Sequence, residues 1–171
     1  MNVRSADLLA DAFDRIRQSV HAAVEGLSAD QLAMRVDPQA NSIAWLVWHL
    51  TRVQDDHVAD AAGAEQAWTA EGWVDRFGLP FPVAATGYGH SSGDVDAVKV
   101  SAELLGRYHD AVHTRTRRYV EQLSDADLDR IVDASWTPAV SLGVRLVSVI
   151  NDDCQHAGQA AFARGVVERT G

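Results

Sequence analysis

The chain has 171 residues, and 24 acidic against 15 basic residues give it a formal net charge of −9 at pH 7. This acidic balance, without any basic stripe, disfavours nucleic acid and anionic membranes as partners. The single cysteine, Cys154, excludes an internal disulfide framework and suits a reducing cytosol. No apolar run has the length of a membrane span. We therefore expect one cytoplasmic domain over residues 1–171.

Four long segments carry apolar residues at helical spacing, and no strand pattern competes with them. The first opens at Ser5, a predicted N-cap, and the second opens at Asn41 or Ser42 after a short turn capped by Ser28. The predicted ranges are residues 5–27, 42–62, 101–123 and 139–166.

Residues 63–100 lose this periodicity and are interrupted by glycine and proline, which predicts a long connection between the second and third helices. Its aromatic residues indicate that it packs against the bundle: Trp68, Trp73, Phe77, Phe81 and Tyr88. The other two connections are short. The pattern predicts an all-α four-helix bundle whose long crossover allows the third helix to run parallel to the second.

The fourth helix carries Asp152 and His156 at spacing i, i+4, with His156 on the same apolar stripe as Leu142 and Val149. Two ligands at this spacing converge on one ion, and a third from a facing helix would leave one coordination position open. The alternative is a buried Asp–His pair that orients the helices. Asp153 is the rival carboxylate, and spacing alone does not choose between it and Asp152.

The second helix places His49 at the margin of its apolar stripe, where a half-protonated group is costly unless something binds it. Its alternative role is that of a core histidine bonded to a carbonyl or carboxylate. His57 lies about 12 Å further along the helix axis, too far to share an ion with His49, and either lines the same groove or packs. The remaining histidines are predicted to face solvent: His21, His90, and the pair His109 and His113. The i, i+4 spacing of that pair would also suit a metal on one helix, which is the alternative.

Cys154 points roughly 200° away from His156 around the helix, so we expect a buried packing residue rather than a nucleophile. Trp45, Trp48 and Trp136 could line an apolar mouth beside the histidines, although tryptophan is more often part of the core.

Two motifs resemble those of a known family. They are the second-helix segment from Trp45 to Leu50, in which Trp48 and His49 adjoin, and Asp152-x-x-x-His156 followed by Ala157, Gly158 and Gln159. Both resemble the DinB-like superfamily of metal-binding four-helix bundles. The ending from His156 to Gln159, together with Arg164, is most similar to its mycothiol-dependent branch of S-transferases and maleylpyruvate isomerases.

This resemblance implies an up-down-down-up bundle, a homodimer, and a divalent metal, Zn²⁺ or Ni²⁺, held by His49, Asp152 and His156. Asp152 stands where the family often has His or Glu. The implied reaction conjugates a low-molecular-weight thiol to electrophilic small molecules, as in detoxification, because the metal holds the thiol as its thiolate. Arg52 would meet an anionic group of the thiol or stay solvated, and Gln159 would contact a metal ligand or the substrate.

Two other functions stay open on the same residues. One is a thiol-dependent isomerase of the maleylpyruvate type, and the other is a non-catalytic, stress-associated bundle that binds metal without turnover. A di-iron bundle is disfavoured because no glutamate lies three residues before a histidine.

Overall fold

The computed structural model describes residues 3–170 and contains eight α-helices in that range, a 3₁₀ turn at Asp125–Asp129 and one small antiparallel sheet. The helices are α1 Ser5–Val24, α2 Ala29–Ala33, α3 Ile43–Ala62, α4 Ala67–Ala70, α5 Trp73–Phe77, α6 Ser92–Ala97, α7 Ala102–Glu121 and α8 Leu142–Thr170. The strands are β1 Ile131–Asp133 and β2 Val140–Ser141.

The four long helices α1, α3, α7 and α8 confirm the predicted all-α bundle. Ser28 and Ser42 cap α2 and α3 as predicted, each accepting a hydrogen bond from a backbone N–H of the first turn. Ser5 is the first residue of α1 rather than its cap. The helix α8 starts later than predicted because Val140 and Ser141 pair with β1 as a strand, and strands this short carry no alternating pattern.

Side-chain contacts fix the direction of each long helix. The deciding pairs are Asp14–His113 and His21–Asp110 between α1 and α7, Thr51–His109 and Gln54–Thr116 between α3 and α7, and His49–His156 and His57–Arg145 between α3 and α8. Between α3 and α7, residue numbers rise together from one pair to the next. Between α1 and α7, and between α3 and α8, the numbers rise in one helix while they fall in the other. Therefore α7 runs parallel to α3, α1 and α8 oppose them, and the up-down-down-up order holds.

The core lies along the bundle axis and receives side chains from all four long helices. Fully enclosed examples are Phe13, Ile16, Leu46, Leu50, Leu105, Leu142 and Leu146. Phe162, which the apolar pattern of the fourth helix included, is 69% exposed, because the buried positions at that end are Ala160, Ala163 and Val167. None of the helices within residues 3–170 is both long and apolar enough to cross a membrane.

The crossover packs against α3 and α7, as its aromatic residues predict, except that Tyr88 is 95% exposed. The buried Asp55 carboxylate accepts hydrogen bonds from the backbone N–H groups of Ala67 and Trp68, at 2.9 and 2.8 Å. It also accepts the hydroxyl of Tyr108 at 2.9 Å. One side chain of α3 therefore anchors the start of the crossover to α7.

Candidate metal centre

Three side chains from two helices meet on one side of the bundle. His49 comes from α3, Asp152 and His156 come from α8, and their ligand atoms lie within 4.8 Å of one another. His49 is buried, whereas Asp152 and His156 are half-buried. The antiparallel packing of α3 on α8 thus brings the three predicted site residues together.

Both imidazoles present the same nitrogen to this cluster. His49 Nδ1–H donates to the carbonyl oxygen of Thr86 at 2.5 Å, and since a carbonyl only accepts, Nε2 keeps its lone pair. His156 Nδ1 lies 2.9 Å from Gln159 Oε1, which fixes the same tautomer. Histidines that bind metals are oriented in this way, with an oxygen acceptor on the other ring nitrogen.

The crossover closes tightly on His49. Gly87 has φ +101°, and a Cβ there would lie 2.6 Å from His49 Nδ1. Trp45 stacks on the imidazole, with ring centroids 4.6 Å apart and planes 16° from parallel. The imidazole is therefore held by Trp45, Thr86 and Gly87 together. Sequence reasoning missed Thr86 and Gly87 because they lie in the aperiodic crossover, 37 and 38 positions after His49.

The electrostatics of the cluster suit two imidazoles beside a carboxylate. Burial lowers the pKa of His49, which favours its neutral form. Burial acts to raise the pKa of Asp152, but the neighbouring His156, whose Nε2 lies 3.6 Å from Asp152 Oδ1, outweighs it, so the net shift is downward. The nearby Asp152 carboxylate in turn raises the pKa of His156, which outweighs the lowering by burial. The Asp152 carboxylate therefore stays ionised beside the two rings.

Asp153, the rival carboxylate, lies on a different face of α8. It is fully buried, and neither of its oxygens has a hydrogen-bond partner among the described residues. Burial raises its pKa well above the usual range, and the charge of Asp152 adds to that shift. Geometry thus brings Asp152, and not Asp153, to the two imidazoles.

Cys154 is exposed, so the prediction of a buried cysteine is wrong. Consecutive residues of an α-helix are about 100° apart around its axis. Because Asp153 faces the core, the thiol of the next residue lies at the surface.

Arg52 is fully buried, so the solvated alternative is wrong. Its guanidinium donates to the Ala85 carbonyl at 3.1 Å and to Gln66 Oε1 at 2.8 Å, and lies 4.9 Å from the Trp68 ring centroid. An enclosed guanidinium with these partners holds the crossover on α3. At 0% exposure Arg52 also presents no surface to an anionic group of a thiol. Gln159 is exposed and bonded to His156, where it is accessible to a ligand.

The histidines that were predicted to face solvent are all at least partly covered. His109 and His113 are buried at 0% and 9% exposure because α7 packs on both α1 and α3. His90 is half-buried, stacks on Trp48 and accepts the indole N–H of Trp45 at 3.2 Å. His21 is half-buried and hydrogen-bonded to Asp110.

The tryptophans divide between core and surface. Trp48 is 1% exposed and Trp45 is 6% exposed, whereas Trp136 is 64% exposed in the loop between β1 and β2. Trp45 lies against both histidines, with its ring centroid 6.5 Å from that of His156.

Comparison with known proteins agrees with this fold. The family model for mycothiol S-transferases matches residues 8–169, nearly the whole chain. The chain belongs to the mycothiol S-transferase family. The DinB-like resemblance of the motifs around His49 and His156 is thereby confirmed.

A solved structure has the same fold. A conserved protein from Enterococcus faecalis superposes with a TM-score of 0.91 at 26% sequence identity, covering 99% of this chain and 100% of that chain. No curated protein matches the sequence.

Proposed function

We propose that this member of the family is a metal-dependent S-transferase that conjugates a low-molecular-weight thiol of the mycothiol type to electrophilic small molecules. His49, Asp152 and His156 would hold the metal. One observation carries the proposal: the two imidazoles lie beside a carboxylate, and each has an Nε2 lone pair available to a metal. The other ring nitrogen is engaged in both, because His49 Nδ1 bonds to Thr86 and His156 Nδ1 bonds to Gln159.

This donor set suits Zn²⁺ and also accommodates Ni²⁺. Two neutral imidazoles and one carboxylate are a common ligand set of catalytic zinc, which keeps its fourth position for a substrate or water. Three protein ligands in a half-exposed cluster leave room for that fourth ligand. Family membership supplies the identity of the thiol in the proposal.

A bound zinc ion would supply positive charge that favours the thiolate over the thiol at neutral pH. The protein's own residues orient the site, since Thr86 and Trp45 hold His49, and Gln159 holds His156 beside the exposed edge. In the transfer, the thiol proton passes to solvent and the sulfur forms a bond to the electrophilic carbon. The leaving group departs with the electron pair of its broken bond.

Cys154 is not needed as a nucleophile. Cys154 is exposed, yet the desolvation of its thiol by the surrounding protein raises the pKa, and the neighbouring Asp153 raises it further, so the thiol stays protonated at neutral pH.

The first test measures metal per chain by elemental mass spectrometry on untagged protein. We expect close to one zinc or nickel ion in the wild type, and its loss in Asp152→Ala and His156→Ala. Asp153→Asn is the matched control, because it changes the adjacent carboxyl outside the cluster and should keep the metal. A wild type that stays empty after incubation with zinc or nickel would overturn the metal site.

The second test follows loss of free mycothiol with monochlorobimane as electrophile. We expect turnover in the zinc-loaded wild type and none in His49→Ala, whereas His21→Ala, a histidine of α1 outside the cluster, should keep it. Retained turnover in His49→Ala would contradict the proposal. Bound metal without thiol loss over a panel of electrophiles would instead support a non-catalytic bundle.

A further inference from the structure

A cleft continues from the metal cluster along α8 toward the β1–β2 hairpin. It encloses about 300 Å³ between α3, the first half of α8 and the hairpin loop, and Asp152 is the last α8 residue that lines it. Arg145 lines it about 10 Å from Asp152 along the helix, at 1.5 Å per residue, and His57 lines it from α3. We call this cleft the hairpin groove.

Its inner end presents hydrogen-bond donors. Arg145 Nη1 donates to His57 Nδ1 at 2.9 Å, and Nη2 donates to Asp133 Oδ2 at 3.0 Å. A guanidinium has five N–H groups, so three remain for a ligand. Because Nδ1 of His57 accepts, a neutral His57 carries its proton on Nε2 and is also a donor. Burial lowers the pKa of His57 and the charge of Arg145 lowers it further, which favours this neutral form.

Its outer rim is apolar. Trp136 and Val144 are 64% and 55% exposed at the mouth, and Val53 and Val149 lie along the lining. Covering a solvent-exposed tryptophan beside a cleft with an apolar ligand is favourable, because it removes the ring surface from water. The groove therefore combines an apolar wall with hydrogen-bond donors from Arg145 and His57.

We propose that the hairpin groove binds the electrophilic substrate of the transfer, and that this substrate is a small molecule with an apolar body and a carboxylate. A carboxylate only accepts hydrogen bonds, so it matches the free donors of Arg145 and His57. The apolar body would lie against Trp136, and the reacting carbon would lie at the Asp152 end. This inference rests on the proposed function, which supplies a thiol at the cluster.

The test compares two electrophiles that differ only in this charge, 4-(bromomethyl)benzoic acid and its methyl ester, with mycothiol and zinc-loaded protein. Arg145→Gln should raise the KM of the acid about tenfold, the value of a hydrogen bond to a charged group. It should raise the KM of the acid at least about fivefold more than that of the ester. Asp133→Asn is the matched control, since it breaks the same ion pair but keeps the guanidinium, and it should leave the KM of the acid unchanged or lower.

Equal effects of Arg145→Gln on acid and ester, or the same loss in Asp133→Asn, would overturn the groove assignment while leaving thiol transfer in place. A binding measurement separates the two proposals. By calorimetry, unreactive 4-methylbenzoate should bind the wild type and bind Arg145→Gln about tenfold more weakly. If 4-methylbenzoate binds Arg145→Gln more weakly but the wild type transfers no thiol, the carboxylate site is supported and the proposed function is overturned. Equal binding of 4-methylbenzoate to the wild type and to Arg145→Gln would overturn the assignment of the groove as a carboxylate site.

Discussion

Replacing Gly87 by alanine tests how the crossover holds His49. The new Cβ would lie 2.6 Å from His49 Nδ1, whereas ordinary contacts begin at 3.4 Å, so the ring or the loop must move by the difference, about 0.8 Å. Such a shift breaks or lengthens the 2.5 Å hydrogen bond from Nδ1 to Thr86. Loss of an outer hydrogen bond of this kind weakens metal binding by about 10- to 100-fold. We expect a loss of zinc affinity in that range.

Gly89→Ala is the matched control for this substitution. Gly89 also has a positive φ, +75°, but a Cβ there has no heavy atom within 4 Å. Both substitutions carry the backbone cost of the left-handed region, about 1 to 2 kcal/mol, and only Gly87→Ala carries the clash. Zinc affinity is measured by competition with a chromophoric chelator, and folding is checked by circular dichroism. Equal zinc affinity in the two variants would refute the view that the crossover positions His49.

Three further outcomes concern stability, each measured by urea unfolding. Burial lowers the pKa of His109 to about 3, so below pH 6.5 the unfolded chain binds a proton that the folded chain does not. His109 therefore costs about 2 kcal/mol of stability between pH 6.5 and pH 5, at about 1.4 kcal/mol per pH unit, and His109→Gln should remove that loss; parallel pH curves would contradict this. Asp55→Ala should lower the free energy of unfolding by about 3 to 5 kcal/mol, because the buried Arg52 loses its carboxylate partner and three hydrogen-bond donors lose their acceptor. These donors are the backbone N–H groups of Ala67 and Trp68 and the hydroxyl of Tyr108. A decrease under about 1 kcal/mol would contradict the role of Asp55 as the anchor of the crossover. Ser42→Ala should cost about 1 kcal/mol, because Ser42 accepts the N–H of Trp45 at the start of α3, and Ser42→Thr should restore it; no difference between the two variants would argue against the cap.

Helical periodicity predicted the bundle well because it depends on local spacing. The four long helices follow from apolar residues that recur every three to four positions, and the start of α3 follows from the serine cap at Ser42. Their ends were less predictable where long-range pairing intervened. Val140 and Ser141 became a strand because β1 was available as a partner, which no local pattern shows.

Which face of a helix is covered depends on how many neighbours that helix has. His109 and His113 fall beside the apolar stripe of α7 and were predicted to be exposed, yet α7 packs on both α1 and α3 and buries them. Cys154 and Phe162 show the opposite error on α8, where apolar character predicted burial and the packing leaves both at the surface.

The sequence by itself determined the bundle, the long crossover, and the residues able to ligate a metal, because these depend on residue type and spacing along one helix. Only the tertiary structure decided that Asp152 rather than Asp153 meets His49 and His156, since 100° of helix rotation separates the two carboxyl groups and α3 lies on one side. It also brought Thr86 and Gly87 onto His49 from a distant part of the chain. Contacts between segments so far apart depend on the path of the crossover, which the buried Asp55 and Arg52 hold in place.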